Sequence, residues 1–221
     1  MSVDSFPVEP LGDAALLVRL GEGIDEDTHV RVRQAHARLA RLPLRLGAIE
    51  LVPAFTTIAV HYDPALTVFD AVATEVVAHL QQLAAEPLPE PRLVTIPVRY
   101  GGGNGPDLEL VAQHAGLAPA AVVQRHAAGD YLVHMIGFAP GFPYLGGLDP
   151  RLACPRRDSP RTHVPAGSVG IGGSQTGIYP FDSPGGWQLI GRTDVVLFDA
   201  TREPPSLLAA GDRVRFVEVV R

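Results

Sequence analysis

Residues 134–193 read HMIGFAPGFPYLGGLDPRLACPRRDSPRTHVPAGSVGIGGSQTGIYPFDSPGGWQLIGRT, and the rest of the 221-residue chain is organised around them. The stretch holds about half of the chain's 23 glycines and its only tryptophan, Trp187. Glycine at that density costs chain entropy on folding, so it is kept where positive φ or close approach of backbone is needed. Prolines at 140, 143, 150, 155, 160, 165, 180 and 184 stiffen the same segment. Together they specify short strands separated by ordered turns. With the strand-like DRVRFVEVV and VVLFDA beyond Thr193, this predicts a closed or nearly closed β-barrel for the second half of the chain.

Upstream, VEPLGDAALLVRL (8–20) reads as an apolar strand segment with a Gly-Asp turn. Asp25 or Asp27 caps a helix running to about Leu42, with Val32, Ala35, Leu39 and Leu42 on one face. Residues 47–53 and 56–62 read as two strands. After Asp63-Pro64 a second helix buries Phe69, Val72, Val76, Leu80 and Leu83. EPLPEP (86–91) is a proline-rich connector, and residues 92–100 form a further strand that either half can use. Strand, helix, strand, strand, helix, strand is the order of a ferredoxin-like α/β unit. The expected fold is therefore α+β, with a ferredoxin-like domain over 1–90 and a barrel domain over 91–221. Asp107–His114 and Pro119–His126 are expected as two short helices separated by Gly116, followed by a strand at Tyr131–Ile136.

Composition removes several function classes. A net charge of -6 and a pI near 5.7 disfavour nucleic acid and anionic membrane as general partners. MSVDSFPVEP lacks the basic start and apolar run of a signal peptide, no apolar run reaches membrane-spanning length, and the single Cys154 makes no internal disulfide. A cytoplasmic location is the expectation. All 18 basic residues are arginine. Without lysine the chain has no P-loop lysine, no Schiff base and no biotinyl attachment, so anions fall to arginine or backbone N–H groups.

Arg156, Arg157 and Arg161 form the densest positive cluster, and guanidinium forks suit carboxylate or phosphate. The alternative is a solvated loop paired to Asp158. GSVGIGGSQTG can offer N–H groups of Gly172 and Gly173 to an oxyanion, or simply make tight barrel turns; it fits neither the Walker nor the dinucleotide pattern. His134 is a candidate general acid or base, or a hydrogen-bonded core residue. No metal site is expected, since no HxH, HExxH or Cys/His set occurs. Cys154 reads as a packing residue, and Tyr144, Tyr179 and Trp187 as pocket walls or barrel core. This chemistry suits a small anionic or amide-bearing ligand.

GFAPGFPYLGGL, PRRDSPRTHVPAGSVGIGGSQTGIYP and SPGGWQLIGRT, in that order, resemble the family of the 5-oxoprolinase B subunit, also described as allophanate hydrolase subunit 1 or Kip-type histidine-kinase inhibitor. LGDAALLV, VPAF, YDP and GPDL extend the likeness over nearly the whole chain. The resemblance implies an N-terminal α/β domain, a C-terminal cyclophilin-like barrel and a C subunit, separately encoded or fused, as partner. With a third subunit, the complex opens the lactam of 5-oxoproline to glutamate at the expense of ATP, carried with Mg²⁺ at an interface or by a partner chain. It also implies His134, Tyr144, Arg156, Arg161, Gln175, Tyr179 and Arg192 as pocket residues. Arg161 and Arg192 are assigned to phosphate or substrate carboxylate, His134 or Tyr144 to proton transfer, and Gln175 to the amide. The alternatives within the resemblance are a regulator docking on a sensor histidine kinase and an allophanate, urea or carboxyltransferase subunit.

Overall fold

A computed structural model describes residues 6–41, 48–81 and 87–219. The chain is α+β and divides into two compact units, Met1–Glu90 and Pro91–Arg221. Among the described residues no helix is long and apolar enough to cross a membrane.

The first unit contains β1 (Val8–Pro10), β2 (Ala15–Arg19), α1 (Glu26–Ala40), β3 (Ala48–Pro53), β4 (Thr57–Tyr62) and α2 (Phe69–Leu80). Asp25 starts α1 by accepting the Thr28 N–H at 2.8 Å, with Glu26 and Asp27 favourably placed in the first turn. Alternation along β4 puts Ile58, Val60 and Tyr62 inside, where they meet Leu16 and Val18 of β2, Val32, Ala35 and Leu39 of α1, and Val72, Val76 and Leu80 of α2. The expected contributions of Leu42, Gly47, Leu83 and Glu86 lie outside the described residues.

The sheet order is β1-β2-β4-β3, with every pairing antiparallel. Strands β2 and β3 thus run parallel on either side of β4, joined by α1. A ferredoxin-like unit would place the strand after α2 beside β2. That edge is instead taken by β1, through a hairpin turning at Gly12 (φ 67°), and the strand after the connector goes to the barrel.

That strand, β5 (Leu93–Tyr100), opens the second unit. It is followed by α3 (Leu108–Ala115), α4 (Pro119–Ala127), β6 (Tyr131–Ile136), β7 (Pro143–Gly146), β8 (Arg161–Val164), β9 (Ser168–Gly172), β10 (Gln175–Ile178), β11 (Ser183–Gly185), β12 (Gln188–Arg192) and β13 (Arg213–Glu218). Seven of these strands close a barrel in the order β10-β7-β6-β13-β5-β12-β9, and β8 with β11 forms a separate two-stranded sheet. Strand β5 is fixed in the barrel by six-residue parallel pairing with β13, from Leu93 opposite Arg213 to Val98 opposite Glu218. Ile96, Val98, Val133, Leu145, Val169, Ile171, Ile178, Ile190, Val214 and Phe216 fill the interior.

VVLFDA does not form the expected strand. Only Phe198 pairs, opposite Ser206, because the facing TREPPS segment carries Pro204 and Pro205, which have no N–H to donate to a ladder. Leu197 nonetheless buries into the core.

Helix α4 delivers a polar side chain into that core. His126 is fully buried, with Nδ1 2.7 Å from the Tyr100 hydroxyl and Nε2 3.0 Å from Thr176 Oγ1. Thr176 donates its own hydroxyl hydrogen to the Gly170 carbonyl at 2.9 Å. Thr176 Oγ1 must therefore accept from His126 Nε2–H, which leaves Nδ1 to accept from Tyr100. Burial holds the imidazole neutral, pushing its pKa down to about 3.

Candidate functional site

Outside the barrel wall, beneath the β8–β11 sheet, a second apolar cluster gathers Phe142, Val164, Tyr179, Trp187 and Leu189. It exists because three strand positions have no side chain. A Cβ on Gly172 would lie 2.6 Å from Trp187 ring atoms, and one on Gly177 would meet the same ring at 3.0 Å and the Pro143 carbonyl at 2.8 Å. Gly170 leaves similar room, 3.1 Å from Trp187 Cβ. The glycine-rich strands β9 and β10 are thus the seat of an indole. Phe142 meets Trp187 edge-on at 5.5 Å and Tyr179 at 5.2 Å, and Tyr144 meets Trp187 at 5.9 Å.

This cluster floors a pocket of about 160 Å³, lined by Phe138, Phe142, Tyr144, Arg156, Arg157, Pro160, Tyr179, Gly185, Gly186 and Trp187. The Arg156 guanidinium sits 5.8 Å over the Trp187 ring, within cation–π range, and among the described residues it makes no ion pair. Burial raises the Tyr179 hydroxyl pKa, so this pocket wall stays protonated at neutral pH. Arg156 and Arg157 also border a wider pocket of about 490 Å³, lined further by Leu110, His114, Cys154, Pro155, Asp158, Ser159 and Gln188. Gln188 fixes the turn between the two pockets by donating Nε2–H to the Pro155 carbonyl at 2.9 Å.

The arginine cluster is split by a partner that the sequence reading did not name. Asp107, buried at the start of α3, receives Arg161 Nη2 at 2.7 Å, approaches Arg157 Nη1 at 3.6 Å and accepts the Leu189 N–H at 2.6 Å. The counter-charge expected from Asp158 is supplied here by Asp107. Asp107 was legible as the start of a short helix and as part of GPDL, and nothing local shows that its carboxylate crosses to β8 and β12.

Of the expected site residues, the pocket brings together Tyr144, Arg156 and Tyr179. The others stand elsewhere. His134 lies on β6 at a bulge between the Val133 and Met135 pairings, and its ring covers the backbone of Gly146. Arg161 is committed to Asp107. Arg192 donates Nε–H to the Ala166 carbonyl at 2.9 Å. Gln175 pairs with Gly172 at the β9–β10 turn, and Gly172 lies under Trp187. Gly173 already donates its N–H to the Cys154 carbonyl at 2.8 Å. Phe138, Phe142 and Arg157 complete the wall, and the first two were visible only as part of the GFAPGF motif.

A family described as carboxyltransferase domain, subdomain C and D, matches residues 6–208. The chain is 46% identical to the 5-oxoprolinase B subunit of Bacillus subtilis (strain 168), over 97% of this chain and 93% of that protein. It belongs to the 5-oxoprolinase B-subunit family. Another member, from Escherichia coli O157:H7, is 44% identical over 94% of this chain and 93% of its own length. Among solved structures, the protein TTHA0988 superposes with a TM-score of 0.83 at 40% identity over 95% of this chain; the chain spans about two fifths of that polypeptide, 41%. The conserved uncharacterized protein PH0987 from Pyrococcus horikoshii is 40% identical, covering 96% of this chain and 97% of its own, with a TM-score of 0.57. In this member of the 5-oxoprolinase B-subunit family, the motifs that carried the resemblance supply walls of the aromatic pocket and the turn bearing Arg156.

Proposed function

We propose that this chain is the B subunit of an ATP-dependent 5-oxoprolinase, opening the lactam of 5-oxoproline to glutamate together with a C subunit and a third, lactam-opening subunit. The observation that carries this reading is the pocket itself: a small aromatic box with Arg156 at its edge, in a chain so close to proteins named as the B subunit of 5-oxoprolinase. About 160 Å³ suits a single small ring and falls well below the roughly 300–1,000 Å³ of larger ligand sites. Aromatic edges and faces hold the ring, and a guanidinium holds its carboxylate.

A lactam carbonyl is a poor electrophile, and ATP supplies the phosphoryl group that would turn its oxygen into a leaving group. Arg156 and Arg157 are the groups of this chain placed to hold developing negative charge beside the pocket. They border the wider cavity of about 490 Å³ as well, which is in the size range for a nucleotide. Tyr144, inside the pocket, is better placed than His134 for proton transfer. In this reading Arg161 and Arg192 are supports, holding Asp107 and the Ala166 loop. The finer fold name cyclophilin-like, for the barrel unit, belongs to the same reading. So does a cytoplasmic location.

The test is to purify the chain with its partner subunits and follow ATP hydrolysis as 5-oxoproline is added. The rate should rise saturably with 5-oxoproline. A rate independent of it overturns the reading.

A second reading is favoured by the matches to a putative urea carboxylase of Emericella nidulans and a urea amidolyase of Saccharomyces cerevisiae, 32% and 40% identical over 51% of this chain. Carboxyl transfer through biotin requires the biotinyl group to be carried outside these 221 lysine-free residues. Inhibition of the purified complex by avidin would support it, and indifference to avidin would exclude it.

A further inference from the structure

Phe138 is the single non-glycine residue with positive φ among the described residues, at 66°. The left-handed region is costly for any residue with a Cβ and rarely entered by a bulky one, and glycine or asparagine would occupy this position more easily. The conformation is imposed by a tight loop: Ala139 donates to the Gly137 carbonyl at 2.7 Å, Phe142 to the Ala139 carbonyl at 3.0 Å, and Gly137 to the Phe142 carbonyl at 3.1 Å. The ring does not gain a core position in return. Phe138 is 63% exposed and touches the pocket only edge-on, 5.4 Å from Phe142 and 6.2 Å from Tyr179. A strained backbone that holds a large apolar ring in water at a pocket mouth has no account in the stability of this chain. Its account lies in what the pocket takes up.

We propose that Phe138 is a specificity-determining wall of the pocket, covering a small carboxylate-bearing ring that sits against Trp187 with its carboxylate on Arg156. The identity of that ring as a lactam rests on the function proposed above; the covering role of Phe138 does not.

Trp187 is the chain's only tryptophan, so its fluorescence reports the pocket directly. The full chain is titrated separately with 5-oxoproline and with cyclopentanecarboxylate, a ring carboxylate without the lactam. Wild type should give a saturable change, Phe138→Ala should raise the half-saturation concentration about tenfold, and Phe138→Tyr should retain it. Phe138→Gly should bind as weakly as the alanine variant yet melt no lower than wild type, because glycine relieves the backbone. An unchanged half-saturation in Phe138→Ala, or no response of Trp187 to either ring, overturns the proposal. A lower Tm for Phe138→Gly also overturns it, by showing that the ring holds the loop together. Failure of Phe138→Ala to bind its partner subunits, with ring affinity unchanged, would assign the side chain to a protein interface and overturn it likewise. A response to cyclopentanecarboxylate alone, weakened in Phe138→Ala, sinks the 5-oxoprolinase reading and supports the role of Phe138.

Discussion

Arg161 on β8 reaches Asp107 at the start of α3 with an Nη2–Oδ1 distance of 2.7 Å, bridging 54 positions of sequence. The carboxylate is almost wholly enclosed and also accepts the Leu189 N–H, so three elements meet on one charge. Removing it leaves two guanidinium groups without their counter-ion and one buried N–H unsatisfied. Asp107→Ala should therefore destabilise the barrel unit by about 3 kcal/mol. Asp107→Asn, which keeps an acceptor for Leu189, should cost less. Urea unfolding followed by circular dichroism measures both; equal stability of Asp107→Ala and wild type would show that the cluster is not held by this residue.

Gly172→Ala tests whether the glycines of β9 and β10 serve the indole. The new methyl would stand 2.6 Å from Trp187 ring atoms, closer than real Cβ contacts come, and Phe142 and Tyr144 pack against that ring from the other sides. Overpacking of this kind costs about 1–3 kcal/mol. The indole, now 5% exposed, should be pushed toward solvent. A red shift in tryptophan emission together with a lower Tm is the expected result, and unchanged emission would refute the seat.

Local chemistry made much of this architecture readable. Asp25 with Val32, Ala35 and Leu39 specifies α1, Gly116 in the left-handed region (φ 64°) ends α3, and Tyr131–Ile136 is the strand that its apolar run predicts. Tyr144, Tyr179 and Arg156 line one pocket, a choice that their chemistry left open, since aromatics also fill barrel cores and arginines also sit on solvated loops; the family motifs singled them out. What was hidden depends on distant pairing. Leu93–Tyr100 has the same pattern whether it closes the first sheet or pairs with Arg213–Glu218, and the six-residue parallel register with β13 decides it. Gly172 and Gly173 look like anion-binding donors until Trp187 is placed over one and Cys154 paired to the other. Asp107 resembles an ordinary helix cap, yet its side chain makes no cap bond and serves Arg161 instead.

His126 makes stability depend on pH in a defined direction. Its folded pKa, about 3, lies below the ordinary 6.5, so between these values the unfolded chain binds more protons than the folded one. Stability is fully present above about pH 6.5 and falls as the pH drops through that window, by up to about 1.4 kcal/mol per pH unit. His36, whose pKa burial also lowers, adds to the same trend from the first unit. Replacing the imidazole by a group that does not titrate, in His126→Gln, should flatten the slope between about pH 6.5 and pH 4 while lowering stability at pH 7. Parallel slopes for the two proteins in urea titrations would show that His126 is not the group responsible.

Cys154 is 3% exposed and is tied to Gly173 by two backbone hydrogen bonds, from Cys154 N–H at 3.1 Å and from Gly173 N–H at 2.8 Å. Burial raises its thiol pKa, and the negative charge of Asp107 raises it further. Reaction with a disulfide reagent needs a thiolate and an open approach, and the native chain provides neither. Modification at pH 8 should be slower than in the urea-unfolded chain by on the order of a hundredfold, since it must wait for local opening. Asp107→Asn removes one of the two causes while leaving the burial in place, so it should quicken native labelling without bringing it to the unfolded rate. If wild type labels as fast folded as unfolded, the thiol is accessible and the packing role assigned to Cys154 fails.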